Sequence, residues 1–234
     1  MKFTFRSFLA GCLLTILPAS HEAQGYIFGF MGGPTLSNQR VSGFQREPFL
    51  RYHGLIYIES TSEINPNALY ARLGYHIKGS AVNIHRVYDF SGNELPGRSY
   101  SMEFHNASLS LGFKQRREFG KLFYHYAFGI RGDYNVKTEF GALFKGLEGS
   151  ENKFTYGVNV DVGMEFPLSE LASVVVELGF SPDLAQQIFI PPQPTGYTYQ
   201  HNGEEIILPE TNLTNIVFEA RVGFRFWRKI IYVD

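Results

Sequence analysis

Hydrophobic and polar residues alternate with period two along most of the chain, the pattern of strands with two unlike faces. The alternation is cleanest at Phe154–Phe166. There Phe154, Tyr156, Val158, Val160, Val162, Met164 and Phe166 are interleaved with Thr155, Gly157, Asn159, Asp161, Gly163 and Glu165. It returns at Ile216–Trp227, where Ile216, Phe218, Ala220, Val222, Phe224 and Phe226 face away from Glu219, Arg221, Gly223 and Arg225. Six less regular segments bring the total to eight: Tyr26–Leu36, Phe49–Ser60, Leu69–Gly79, Ser99–Lys114, Leu122–Tyr134 and Ser173–Ser181. Within Ser99–Lys114 the phase changes near His105–Asn106, which predicts a β-bulge. The regular segments exceed the usual strand of about five or six residues. They suit the roughly 9–11 residues with which a tilted strand crosses a bilayer.

The links alternate too. Short polar ones fall near Thr61–Asn67, Arg116–Gly120 and Leu168–Leu171. Long ones fall near Ser37–Glu47, Ser80–Leu95, Asn135–Asn152 and Pro182–Thr214. Short periplasmic turns and longer extracellular loops are the layout of a transmembrane barrel. The predicted fold is therefore all-β: an eight-stranded antiparallel up-and-down transmembrane β-barrel spanning residues 24–227, expected to be monomeric.

The first residues read as an address. Met1–Arg6 is short and basic, Phe8–Leu17 is apolar, and Pro18–Gln24 is small and polar, the order of a secretory signal. Cleavage is placed after Ala23, with Ser20 as the alternative. Leu9-Ala10-Gly11-Cys12 also matches a lipoprotein processing box, so lipidation at Cys12 competes with it. Residues 228–234 are expected to form a short periplasmic tail. Cys12 is the only cysteine, so cleavage after Ala23 leaves no disulfide and no thiolate metal site.

Composition helps decide which face meets lipid. The chain has 22 Phe, 14 Tyr and 24 Gly, and only 18% of its residues are charged. That rules out a disordered chain, and a net charge of -1 gives no reason to expect a nucleic-acid partner. A soluble barrel turns its apolar face inward, whereas a membrane barrel turns it to lipid. The apolar face here carries Tyr52, Tyr75, Tyr124, Tyr126 and Phe226, as an aromatic girdle would. Outer-membrane lipid is the expected surrounding.

Four stretches carry a family resemblance. They are a glycine-broken first strand, Gly29–Asn38; Tyr75-His76-Ile77-Lys78-Gly79; Tyr100-Ser101-Met102-Glu103-Phe104; and the closing Val222-Gly223-Phe224-Arg225-Phe226. In these the chain resembles the Bacteroidota-type small outer-membrane β-barrel family, the PorT-like barrels, from Gln24 to Trp227. His105 stands where that family usually has proline, and Trp227 is followed by seven more residues. The resemblance implies a small OmpA/OmpX-like barrel in the outer membrane and no shared enzymatic activity.

The inward face holds basic Arg51, Arg72, Lys78, Arg131, Arg221 and Arg225 against acidic Glu59, Asp133, Asp161, Glu165, Glu177 and Glu219. A narrow eight-stranded lumen is filled by side chains, and buried charges persist when paired. This balanced set predicts a structural ion-pair network that plugs the barrel. Asp161 and Glu177 are expected to share an arginine, Arg221 or Arg225. His53, His76, His105 and His125 are scattered without metal spacing, and no nucleophile motif, metal site or cofactor is expected. In the Pro182–Thr214 link, Ile188–Tyr199 is aromatic and proline-stiffened. It predicts either a lid over the mouth or a protein or glycan contact through Phe189, Tyr197 and Tyr199. The expected function is thus a non-enzymatic membrane barrel. The alternatives are a rim-site enzyme acting on lipid or peptide, or a secreted soluble barrel that binds an apolar ligand.

Overall fold

The computed structural model describes residues 25–41, 46–61, 66–88, 94–198, 205–208 and 210–229. The expected signal segment 1–23, Cys12 and residues 230–234 of the expected tail lie outside them. Seven long strands follow in order: β1 Gly25–Val41, β2 Phe49–Thr61, β3 Asn67–Tyr88, β4 Glu94–Phe119, β5 Leu122–Phe140, β6 Phe154–Pro167 and β7 Ala172–Pro182. Three short ones come next, β8 Ile188–Ile190, β9 Gln193–Thr198 and β10 Glu205–Leu208, and then the long β11 Thr211–Lys229. Each long strand pairs antiparallel with the next, and β11 returns to pair with β1. The ring is therefore an up-and-down barrel of eight strands. β8 adds to the upper end of β11, and β9 pairs with β10 as a separate hairpin.

Alternation sends one residue set outward and the other inward. The outward set is apolar and exposed, including Phe28, Ile56, Leu73, Leu111, Phe128, Val162, Leu178 and Phe224. Near the long-link end it ends in Tyr52, Tyr75, Tyr134 and Tyr156, and near the short-turn end in Tyr124 and Tyr126. An apolar band between two aromatic girdles is a lipid-facing surface, and closure leaves no strand edge unpaired within it. Among the described residues the inward set is mostly polar or small. Gly29 and Gly112 are small for a reason: a Cβ at either would stand 2.6 Å from the ring of Tyr57 or Tyr70 and closer still to a neighbouring carbonyl.

The strands outrun the segments predicted for them. Most of the expected Ser80–Leu95 link is strand, with β3 reaching Tyr88 and β4 starting at Glu94. β11 likewise continues through Arg228 and Lys229, which pair with Tyr26 and Gly25. The expected phase change in β4 also has a different cause. β4 keeps an unbroken register with β3 from Glu94 to Gln115. Its inward set runs Lys114, Ser110, Asn106 and then Phe104 and Met102, all buried. Its outward set runs Phe113, Leu111 and Leu109, then His105, Glu103 and Ser101. The two faces exchange chemistry near the tyrosines: below, charge is inside and apolar residues outside; above, the reverse. The bulge does sit at this level, but its extra residue is on β5. Asn106 faces Asn135 and His105 faces Lys137, so Val136 is left over.

Candidate functional site

The lumen is the chemically richest part of the molecule, and it is filled in tiers. The lowest tier, nearest the short turns, centres on Glu165 of β6. Lys114 lies 3.3 Å from it, Arg116 and Arg225 reach it at 2.9 and 2.8 Å, and His125 Nδ1 stands 3.4 Å away. Lys114 also binds Glu59 at 2.9 Å. In the next tier Arg72 holds Asp161 at 2.6 Å and Glu177 at 3.0 Å. Arg221 crosses from the opposite wall to Asp161 at 2.9 Å and also pairs with Glu177 and Glu219. His125 Nε2 reaches Glu177 at 2.9 Å and so joins the two tiers. Asn159 donates to Asp161 and to the Tyr70 hydroxyl at 3.0 and 2.7 Å.

A third tier lies above. Lys78 bonds Asp133 at 2.7 Å and Asp183 at 2.6 Å, and Arg131 bonds the same two carboxylates. His76 stands between Asp133 and Glu219, at 3.2 and 3.4 Å. His53 shares a 2.8 Å hydrogen bond with Thr35. Lys78, Asp133, Asp161, Glu165 and Glu177 are all 0% exposed. Desolvating that many charges is tolerable only because each is matched at hydrogen-bond distance.

Eleven of the twelve charged residues predicted to face inward meet in these tiers. The twelfth, Arg51, stands apart at the long-link end, where it forms a two-pronged pair with Glu103 and lies 3.7 Å from the Phe49 ring centroid. Asp161 and Glu177 share Arg72 and Arg221, whereas Arg225 serves the tier below. Sequence reasoning missed Lys114, Arg116, Asp183 and the bridging roles of His76 and His125. Lys114 was hidden by the supposed phase change in β4, and Arg116 fell in the expected Arg116–Gly120 link, which the structure makes part of β4. Asp183 lies just past β7, in what looked like loop. Its one sequence signal is that it continues the inward phase of Glu177, Gly179 and Ser181.

An apolar cap closes the upper mouth. Met102, Phe104, Phe144, Ile188 and Leu213 form a buried cluster, joined by half-buried Tyr100, Phe140 and Leu147. Phe144 comes from a 3-10 turn at Ala142–Leu147, Ile188 from β8 and Leu213 from β11. Arg46, before β2, donates to Gln39 and Ser80 at 2.9 Å and sits 4.8 Å from the Phe144 ring centroid. Burial under this cap pulls its guanidinium pKa down to about 10. The near half of the Pro182–Thr214 link therefore lies over the mouth: Asp183 enters the third tier, Gln187 and Ile188 are 0% exposed, and Asn215 bonds Asp183 at 2.8 Å. Phe189 points outward and is 45% exposed. Tyr197 lies on β9, and Tyr199 is outside the described residues. Among the described residues no group of three or more His, Cys, Asp or Glu is arranged to hold a metal ion.

No family model matches the chain, and no curated protein sequence matches it. Solved structures do. The outer membrane protein OprG from Pseudomonas aeruginosa is similar over 90% of this chain and 99% of its own, with a TM-score of 0.52 at 10% identity. Weaker likenesses are the outer membrane protease OmpT from Escherichia coli, at TM-score 0.43 and 9% identity, covering 91% of this chain and 99% of its own, and the E. coli outer membrane protein W, at TM-score 0.39 and 13% identity, covering 88% and 100%. The OprG likeness concerns architecture, and with the apolar belt and closed ring it identifies the fold as that of a small bacterial outer-membrane β-barrel.

Proposed function

We propose that this protein is a non-enzymatic integral outer-membrane barrel with a permanently plugged lumen, which meets a partner through its extracellular face. One observation carries the proposal: the two faces exchange chemistry at a single level. Below it the wall suits lipid outside and paired charge inside, and above it β4 and β5 turn polar residues outward and Met102, Phe104 and Phe140 inward, beside the buried polar Thr35, Ser37, Gln39 and Ser80 of β1 and β3. A soluble barrel would keep its apolar face inward throughout. The surface left for a partner is the β9–β10 hairpin with the outer side of β8, which carries the exposed Phe189, and the contacts assigned to a protein or a glycan are Phe189, Tyr197 and Tyr199. Membership of the PorT-like family is part of the proposal. It rests on the four stretches quoted above, which fall on β1, β3, β4 and β11.

The alternative of a rim enzyme has one constellation to use. Outside the barrel, Tyr75 Oη lies 2.6 Å from His105 Nδ1, and Glu139 Oε1 lies 3.6 Å from His105 Nε2. At 3.6 Å the acid does not orient the base, so partner binding is the better supported function. Membrane fractionation with heat-modifiable gel migration tests residence, and recovery in the soluble periplasm would overturn it. Cross-linking in native outer membrane tests the partner. Deleting Gln193–Leu208 is expected to abolish the cross-link and leave heat-modifiability intact.

A further inference from the structure

The mouth at the short turns is built unlike the capped one. A cavity of about 210 Å³ opens there among Arg116, Phe123, Pro167, Leu171, Arg225 and Trp227, with Ser169, Glu170 and Ser173 at its edge. Its walls are mainly the rings and aliphatic groups of Phe123, Pro167, Leu171 and Trp227. Arg116 lies flat over Phe123, 3.7 Å from the ring centroid, and its side chain is 26% exposed. The buried indole Nε1 of Trp227 has no hydrogen-bond partner. The cavity is below the roughly 300–1,000 Å³ of drug-sized ligand sites, so a guest must be small.

Charge selects the guest. The lowest tier sets three cations, Lys114, Arg116 and Arg225, against two carboxylates, Glu59 and Glu165. The two upper tiers set Arg72, Lys78, Arg131 and Arg221 against Asp133, Asp161, Glu177, Asp183 and Glu219. With the histidines uncharged the lumen as a whole balances, but it is polarised. One positive charge is left over beside the cavity and one negative charge far above it. The surplus cation nearest the opening is Arg116. Glu170, in the exposed β6–β7 turn, is the acid at the cavity edge, and it faces solvent.

We propose that this mouth is a binding site for a small anion with an apolar body, a short-chain carboxylate in chemical class. The carboxylate pairs with Arg116, while the chain lies against Phe123, Pro167, Leu171 and the indole of Trp227. Calling the mouth periplasmic rests on the outer-membrane function proposed above. The test does not depend on sidedness, so its failure would leave that function standing.

Trp227 is the only tryptophan in the chain, so its fluorescence reports on this cavity alone. The full-length protein in phosphatidylcholine vesicles is titrated with hexanoate and, separately, with hexan-1-ol. Hexanoate is expected to give a saturable change, and the neutral alcohol to bind about tenfold or more weakly, the worth of one charged hydrogen bond. Arg116→Gln is expected to remove the preference for the anion, and heat-modifiable migration checks that this variant is folded. Equal responses to acid and alcohol, or no saturable response, overturn the proposal. So does hexanoate binding that appears only after removal of residues 230–234, which would give the cavity to the chain's own tail.

Discussion

Arg221 holds three carboxylates from three different strands: Asp161 on β6, Glu177 on β7 and Glu219 on its own β11. Replacing it with methionine keeps much of the volume and removes the charge, leaving Asp161, Glu177 and Glu219 with Arg72, His76 and His125. Breaking a buried pair by removing one partner costs about 3–5 kcal/mol. Arg221→Met is therefore expected to lower the urea midpoint of the vesicle-inserted protein by a loss of that size. Arg51→Met is the control, because Arg51 is 36% exposed and pairs near the surface. It should cost no more than about 1 kcal/mol, and equal losses would show that the tiers are not what holds the barrel. At this scale the sequence was informative wherever alternation was regular. Arg72, Asp161 and Glu165 could be placed inside from parity alone. Asp183 could not, since it acts from beyond the last regular residue of β7, and a residue's partner across a lumen leaves no mark on its neighbours in the chain.

Among the elements, β4 and β5 repay comparison. Below the tyrosines both follow the pattern that parity predicts. Above, β4 continues in phase while β5 inserts Val136, so that Thr138 and Phe140 turn inward and Phe140 meets Phe104 edge-on at 6.1 Å. Parity shows that the relation between phase and hydrophobicity changes near His105. It does not show whether the backbone or the surroundings changed, because both give the same string of letters. Pairing with β3 settles it for β4, and such pairing is a long-range fact. Phe140→Asp makes a clear prediction. It would set a carboxylate against the buried Phe104 in the apolar cluster, loosening the cap without touching the belt. Limited proteolysis is expected to cut Gly141–Ser150 much faster in the variant, while barrel migration on gels stays normal. Unchanged protection would mean that Phe140 does not hold the cap.

For the whole molecule, three tiers of matched charge and an apolar cap lie in series along one axis. Any one of them obstructs the lumen, so the intact protein is expected to show no stable large conductance in planar bilayers. A persistent open level would contradict the plug. Opening the cap alone, as Phe140→Asp is meant to do, should not produce a channel, because Arg72, Asp161, Glu177 and Arg221 still close the middle. The near-neutral net charge of the chain conceals this order, and composition alone had no means of revealing the polarised tiers.

The exchange of faces between the lower and upper barrel bears on how the protein reaches its final state. The upper portion resembles a small water-soluble domain, with Lys137 and Glu139 exposed outside and Met102, Phe104 and Ile188 buried within. Its shell of charge could not pass through hydrocarbon in folded form, since each charge would be stripped of water without a partner. The strand ends must cross as open chain and meet their apolar companions only on the far side. Once they do, unthreading them again would expose Met102, Phe104 and Ile188 to water before the ends could re-enter the membrane, so the cap anchors the strand ends on the side where it forms.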